Sequence, residues 1–181
     1  MDDHPAPALG ELLRADVAAN RHDAKGLVLV VAYRLAAAAR QLGEASPLHR
    51  LAVVPMLAAY RLVVEWGLGV ELPPQVRAGA GLRIRHGQGL VVNTGTVLGR
   101  DVLLRHNVTI GNIRRGPGDT TACPVIGDGV ELGAGAVVVG PITVGDGARI
   151  GANAVVSADV PPGARVRAPA AEIRPAVDEP G

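Results

Sequence analysis

An aliphatic residue returns every sixth position through most of the second half of this 181-residue chain, and that spacing leaves few folds available. Val92, Leu98, Leu104 and Ile110 share one hexad position, and after an interruption Ile126, Leu132, Val138, Val144, Ile150 and Val156 resume it. Gly follows the aliphatic residue at 99, 111, 127, 133, 145 and 151. A small or branched residue stands four after it: Thr96, Val102, Val108, Val130, Ala136, Ile142, Ala148, Ala154 and Val160. The helical period that a βαβ domain requires is absent after Gly69. The pattern predicts a prism with three flat faces, in which each hexad supplies one short strand and one corner. The aliphatic side chain points inward and Gly permits the turn, so three hexads close one coil.

Such an interior is too narrow for rings, which accounts for the absence of Phe and the 2% of aromatic residues in a chain that is 48% hydrophobic. Gly numbers 24 in the chain, and those that follow the aliphatic residue in the repeat region serve its corners. A formal net charge of +1, scattered basic residues and no aromatic platform argue against nucleic-acid binding. One cysteine, Cys123, excludes an internal disulfide framework. The N-terminal MDDHPAPALGE is acidic where a signal peptide is basic and then apolar, so a cytoplasmic location is expected.

Residues 1–69 read differently. Three apolar stretches, 9–19, 27–39 and 51–68, have helical character. Arg34 interrupts the second, and Pro55, Arg61 and Glu65 the third, so none is expected to span a bilayer. Burial against other helices or another subunit is expected instead, with peripheral membrane contact left open. The organisation is therefore an α-helical region at 1–69, a β-helix at 70–165 and a tail at 166–181. The fold class is mainly β.

Two departures from the repeat mark candidate chemistry. Six residues before Val92 stands His86, an imidazole where an aliphatic side chain is due. Arg85 adjoins it, Glu71 lies fifteen residues earlier and His106 one coil later. A carboxylate that holds one ring nitrogen leaves the other free to take a proton from an attacking hydroxyl. The second departure falls between Ile110 and Ile126, where NIRRGPGDTTACPV carries four residues too many for whole hexads and must bulge from a corner. Loops on rigid scaffolds often carry function.

The segments GVELPPQVRAGAGLRIRHGQGLVV, VTIGN, ACPVIGDGVELGAGAVVVGPITVGDGARIGANAVV and VPPGARVRAPA, over about 69–170, resemble the serine O-acetyltransferase family, with weaker similarity in RADVAANRHDAKG. The resemblance implies a left-handed parallel β-helix, usually a homotrimer, that moves acetyl from acetyl-CoA to a hydroxyl in one displacement. It implies that His86 is the general base and that Glu71 orients it, in place of the family's Asp. It also implies that the pantetheine arm of CoA lies between adjacent prisms, touching Gly111, Asn112, Ala134, Gly135 and Ala152. Arg167, and Arg114 or Arg115, are then candidates for the phosphates.

The family's Asp before the catalytic His is Arg85 here, and its Arg-His pair in the extended loop is Ala122-Cys123. Those family residues grip the amino acid's ammonium and carboxylate, and a site without them leaves a serine zwitterion poorly paired. RHG, RHNVTIGN and ACPVIGDGVELGA are more similar to the exopolysaccharide O-acetyltransferases of the colanic-acid type. Sugar hydroxyls are their acceptors, and Arg85, His106, Asn107, Asn112 and Cys123 are the candidate acceptor-side residues. Serine remains the alternative acceptor, and a non-catalytic hexapeptide scaffold the alternative class. A metal-dependent hydratase needs three histidines at one seam, and the repeat region supplies two, so no metal is expected. Direct transfer needs no acyl-enzyme on Cys123.

Overall fold

The computed structural model describes residues 7–113, 122–170 and 172. From residue 70 onward the described chain winds into stacked coils of parallel strands. These are β1 (Val70–Glu71), β2 (Arg77–Ala78), β3 (Arg83–Arg85), β4 (Leu90–Val92), β5 (Val97–Leu98), β6 (Leu103–Arg105) and β7 (Thr109–Gly111). After the loop come β8 (Val125–Ile126), β9 (Glu131–Leu132), β10 (Val137–Val139), β11 (Thr143–Val144), β12 (Arg149–Ile150), β13 (Val155–Val156) and β14 (Arg165–Val166). Every third strand stacks on the same face. The first sheet runs β1-β4-β7-β10-β13, the second β11-β8-β5-β2 and the third β14-β12-β9-β6-β3. The chain is a parallel β-helix. All ten hexad residues from Val92 to Val156, and the nine small or branched residues four after them, are buried along its axis. An aliphatic side chain taken fully out of water contributes about 1.5–3 kcal/mol, and here that gain recurs on every face.

Register exposes two errors in the count from sequence. Val92 pairs with Ile110, eighteen residues on, whereas Ile110 pairs with Val138, twenty-eight on. The surplus before Ile126 is therefore ten residues, not four, because β7 is followed directly by β8 on the next face. The hexad that the pattern allowed within the loop is not a face. Arg114 and Arg115 lie outside the described residues.

The other error concerns His86. Val70 pairs with Leu90, twenty residues on, so the first coil holds two residues beyond eighteen. They fall at His86 and Gly87, with φ of 66° and 51°. Ile84 and Leu90, not His86, fill the interior, and His86 is exposed. No imidazole replaces a core side chain. The repeat had already slipped by two, and counting back from Val92 landed in the slip.

Ahead of the prism stand α1 (Leu9–Asn20), α2 (Ala24–Gly43), α3 (Pro47–Tyr60) and a π-helical continuation, Arg61–Gly67. Asp23 caps α2 by accepting from the Gly26 N–H at 2.8 Å, and Ser46 caps α3 with Pro47 at the first helical position. Contrary to expectation, α2 and the run Pro47–Gly67 are long and apolar enough, by length and composition, to cross a membrane. For α2 the reason is its core role: Leu29, Val30, Tyr33 and Ala36 are buried within the protein.

These helices close the open end of the prism. Backbone groups of the first coil have no preceding coil to bond, and an uncapped end exposes strand edges. Tyr33 Oη donates to the Val76 carbonyl at 2.6 Å, Tyr60 Oη to Leu72 at 2.7 Å and Asn20 Nδ2 to Leu82 at 2.8 Å. Arg34 donates to the carbonyls of Ala78 and Gly79. Asp16 accepts from the N–H groups of Gly81 and Leu82 at 2.8 and 3.0 Å, and from Arg34 Nε at 2.7 Å. Burial pushes the Tyr33 phenol up to about 12. Gly26 allows α2 to approach so closely that a Cβ there meets the Ile84 carbonyl.

Candidate active site

The third sheet turns into the first at one corner of the prism, and the turns of successive coils stack there. Gly89 N donates to Gly69 O at 2.7 Å, Asn107 N to Gln88 O at 2.9 Å, Gly135 N to His106 O at 3.0 Å and Asn153 N to Ala134 O at 2.9 Å. The two extra residues of the first coil swell this corner. The positive φ at Gly87 and the packing of Leu29 Cδ1, which a Cβ there approaches to 2.6 Å, explain why glycine follows His86.

The swelling places His86 beside His106. Their rings meet edge to face, with centroids 5.8 Å apart and planes at 72°. Together with Lys25, Gly69, Gln88, Gly89 and Asn107 they line an open cleft of about 910 Å³. Two imidazoles, two amides and one ammonium face this cleft, and among the described residues lining it there is no carboxylate. His106 Nδ1 is buried without a hydrogen-bond partner in the structure, so a polar group of a ligand or a water is needed to satisfy it.

An acid that sequence reasoning missed, Asp23, stands beside Arg85 and within electrostatic reach of His86. Its carboxylate accepts from Gly26 N and pairs with Arg85 Nη1 at 3.2 Å. The Gly26 N–H hydrogen bond, aided by Arg85 and by the nearby His86, holds this carboxyl below its ordinary value. RHDAKG carries the signal of a helix cap, with Asp three residues before Gly, but no signal that this cap stands beside His86. A group with a lowered native pKa adds stability that is complete above the unfolded value of 3.8 and is lost as pH falls through the native value. Asp23→Ala is therefore expected to cost about 1 kcal/mol at neutral pH, as cap residues do, with the gap from the parent chain closing in acid. Thermal melts at the two pH values measure it.

Sequence-predicted residues divide between two corners. Ala134, Gly135 and Ala152 stack in the corner of His86, His106 and Asn107. Gly111 ends β7 on the far side of the first sheet, where Asn112 Oδ1 accepts from Asn93 Nδ2 at 3.2 Å and Cys123 Sγ lies 3.2 Å from Asn93 Oδ1. Glu71 stands exposed on the outer face of the first sheet, level with Val91. No hydrogen bond or ion pair joins it to His86 among the described residues. Arg167 follows β14 at the end of the third sheet, where it borders a groove of about 220 Å³ with Arg105, Arg149, Arg165, Gly133 and Gly151. The described residues hold no group of three or more His, Cys, Asp or Glu side chains placed to bind a metal.

The family description "bacterial transferase hexapeptide (six repeats)" matches residues 123–158. A protein of Escherichia coli described as the colanic acid biosynthesis acetyltransferase WcaB is 39% identical over 129 residues, which cover 71% of this chain and 78% of that protein. The chain belongs to the hexapeptide-repeat acetyltransferases. Among solved structures of this family, soybean serine acetyltransferase complexed with serine superposes with a TM-score of 0.72 at 32% identity, covering 90% of this acetyltransferase and 68% of that chain. The serine acetyltransferase of Brucella abortus strain S19, in complex with coenzyme A, superposes with a TM-score of 0.67 at 28% identity, covering 84% and 62%.

Proposed function

We propose that this acetyltransferase transfers acetyl from acetyl-CoA to a hydroxyl of a sugar or another small acceptor that is not serine. One observation carries the choice of acceptor. Among the described residues, the lining of the cleft at His86 offers imidazole, amide and ammonium groups and no carboxylate, and the adjacent Asp23 is already engaged by Arg85. The ammonium of an amino acid thus meets no free counter-charge and is desolvated beside Lys25, at considerable cost. Sugar hydroxyls, as donors and acceptors, match Asn107, Gln88 and His106 without that penalty.

In this reading His86 takes the proton of the acceptor hydroxyl as its oxygen attacks the thioester carbonyl. The tetrahedral oxyanion is held by backbone N–H groups of the corner. The carbon–sulfur bond then breaks, and the CoA thiolate recovers the proton from His86. The donor's pantetheine arm runs along the stacked turns at Ala134, Gly135 and Ala152. Arg167, with Arg105, Arg149 and Arg165, meets its phosphates, a role that bidentate guanidinium groups suit. Glu71 is a positioning residue for His86 in the acting homotrimer, its carboxylate committed to the imidazole and so not free for an ammonium. Cys123 and Asn112 border the acceptor from the next corner, and no metal takes part.

Acetyl-CoA consumption measured across serine, homoserine, simple sugars and nucleotide sugars tests the reading. A sugar-type acceptor is expected to give the highest kcat/KM, and serine as the best acceptor overturns it. If acetyl-CoA neither turns over nor raises the melting temperature, the scaffold reading replaces it, because binding to the native state must stabilise it.

A further inference from the structure

The run Pro47–Gly67 forms one continuous helical rod of 21 residues, and only 11% of its most apolar 18-residue stretch is buried within the protein. Its inner side is spent on the fold: Val53 and Leu57 are half-buried, and Tyr60 and Val64 are buried. Leu48, Leu51, Pro55, Ala59, Leu62 and Trp66 recur at steps of three and four, so they form one stripe on the opposite side. Leu48 is 76% exposed, Leu51 70%, Leu62 62% and Trp66 81%. On the neighbouring α2, Val28, Leu35 and Leu42 are also exposed, at heptad spacing. Aliphatic surface of this extent on a folded chain marks an interaction site.

We propose that this helical face docks the enzyme on an anionic lipid surface, lying in the plane of the interface and not crossing it. Composition favours lipid over a protein partner. Between Leu51 and Ala59 there is no polar side chain, so the stripe lacks the hydrogen-bonding groups that give a protein interface its register. The ends match headgroups. Exposed His49 and Arg50 lie in the first turn beside Leu48, Arg61 adjoins Leu62, and the sole acid of the run, Glu65, is turned partly inward and paired with Arg61 at 3.5 Å, so the run keeps a positive balance. Trp66, the chain's one tryptophan, ends the stripe with its indole exposed, as side chains at the boundary between headgroups and acyl chains do. Both helices are tied to the prism and do not leave it to span, α2 by Arg34 through Asp16 and the run Pro47–Gly67 by Tyr60 through the Leu72 carbonyl.

The full chain mixed with phosphatidylcholine vesicles, with and without phosphatidylglycerol, tests this by flotation and by Trp66 fluorescence. Binding is expected to be stronger with phosphatidylglycerol and to weaken with salt, with a blue shift that reports Trp66 alone. Leu51→Ser with Leu62→Ser is expected to reduce binding at least about tenfold while acetyl-CoA binding and folding are unchanged. Absence of binding to either vesicle overturns the proposal. So does a lipid-independent, concentration-dependent assembly that the same double substitution dissolves, since the stripe is then an interface between copies. Neither result bears on the acceptor at His86, so the two readings fail separately.

Discussion

Replacing His86 with Asn is expected to reduce turnover by about 10²–10⁴-fold while the melting temperature stays near that of the parent chain. The substitution suits this corner. His86 is exposed, so no core cavity opens, and its φ of 66° lies in the left-handed region that Asn tolerates. A β-branched replacement there strains the backbone and confuses chemistry with folding. An Asn amide keeps hydrogen-bonding capacity but takes up no proton near neutral pH, so the loss appears in kcat and not only in KM. Turnover that survives in this variant and disappears in His106→Asn gives the base to His106, whose ring lies 5.8 Å away.

The largest effect on stability is expected from Asp16→Ala, at about 3–5 kcal/mol, because one side of a buried ion pair is removed and the other left uncompensated. Asp16 is fully buried, and the Arg34 side chain is 4% exposed. The loss extends beyond the pair, since Gly81 and Leu82 also lose their acceptor and the first coil loses its tie to the helices. The melting temperature should fall by on the order of 10 °C. Combining Asp16→Ala with Arg34→Met is expected to cost less than the two single changes together, as for groups in one network. A fall of a degree or two in Asp16→Ala shows that the helices do not hold the end of the prism.

The His86 corner shows how far the repeat alone leads and where it stops. Reading His86 as a lapse in the hexad led to the corner that swells, but for a wrong reason. The period registers only side chains that face inward, and a two-residue swelling at a corner faces out, so it appears in the pattern as a phase error. The ten-residue surplus before Ile126 was read as four because a pattern of period six counts modulo six. Lys25, Gln88 and Asp23 were not legible as site residues. Lys25 and Asp23 belong to the helical region, and nothing in a local pattern says that α2 begins beside β3.

Sequence by itself determined the coil: its period, its three faces, its inward aliphatic column and the small side chains beside it. Each of these follows from local geometry repeated, and one strand's requirements are the next one's. The tertiary structure alone decided which corner swells, which acid stands beside His86, and that Arg85 occupies that acid. It also decided that Asp16, Asn20, Tyr33, Arg34 and Tyr60 serve the first coil's unpaired backbone groups. Those partners lie 12 to 66 residues apart in the chain, and satisfying a buried donor or acceptor is a demand that only the assembled fold can state.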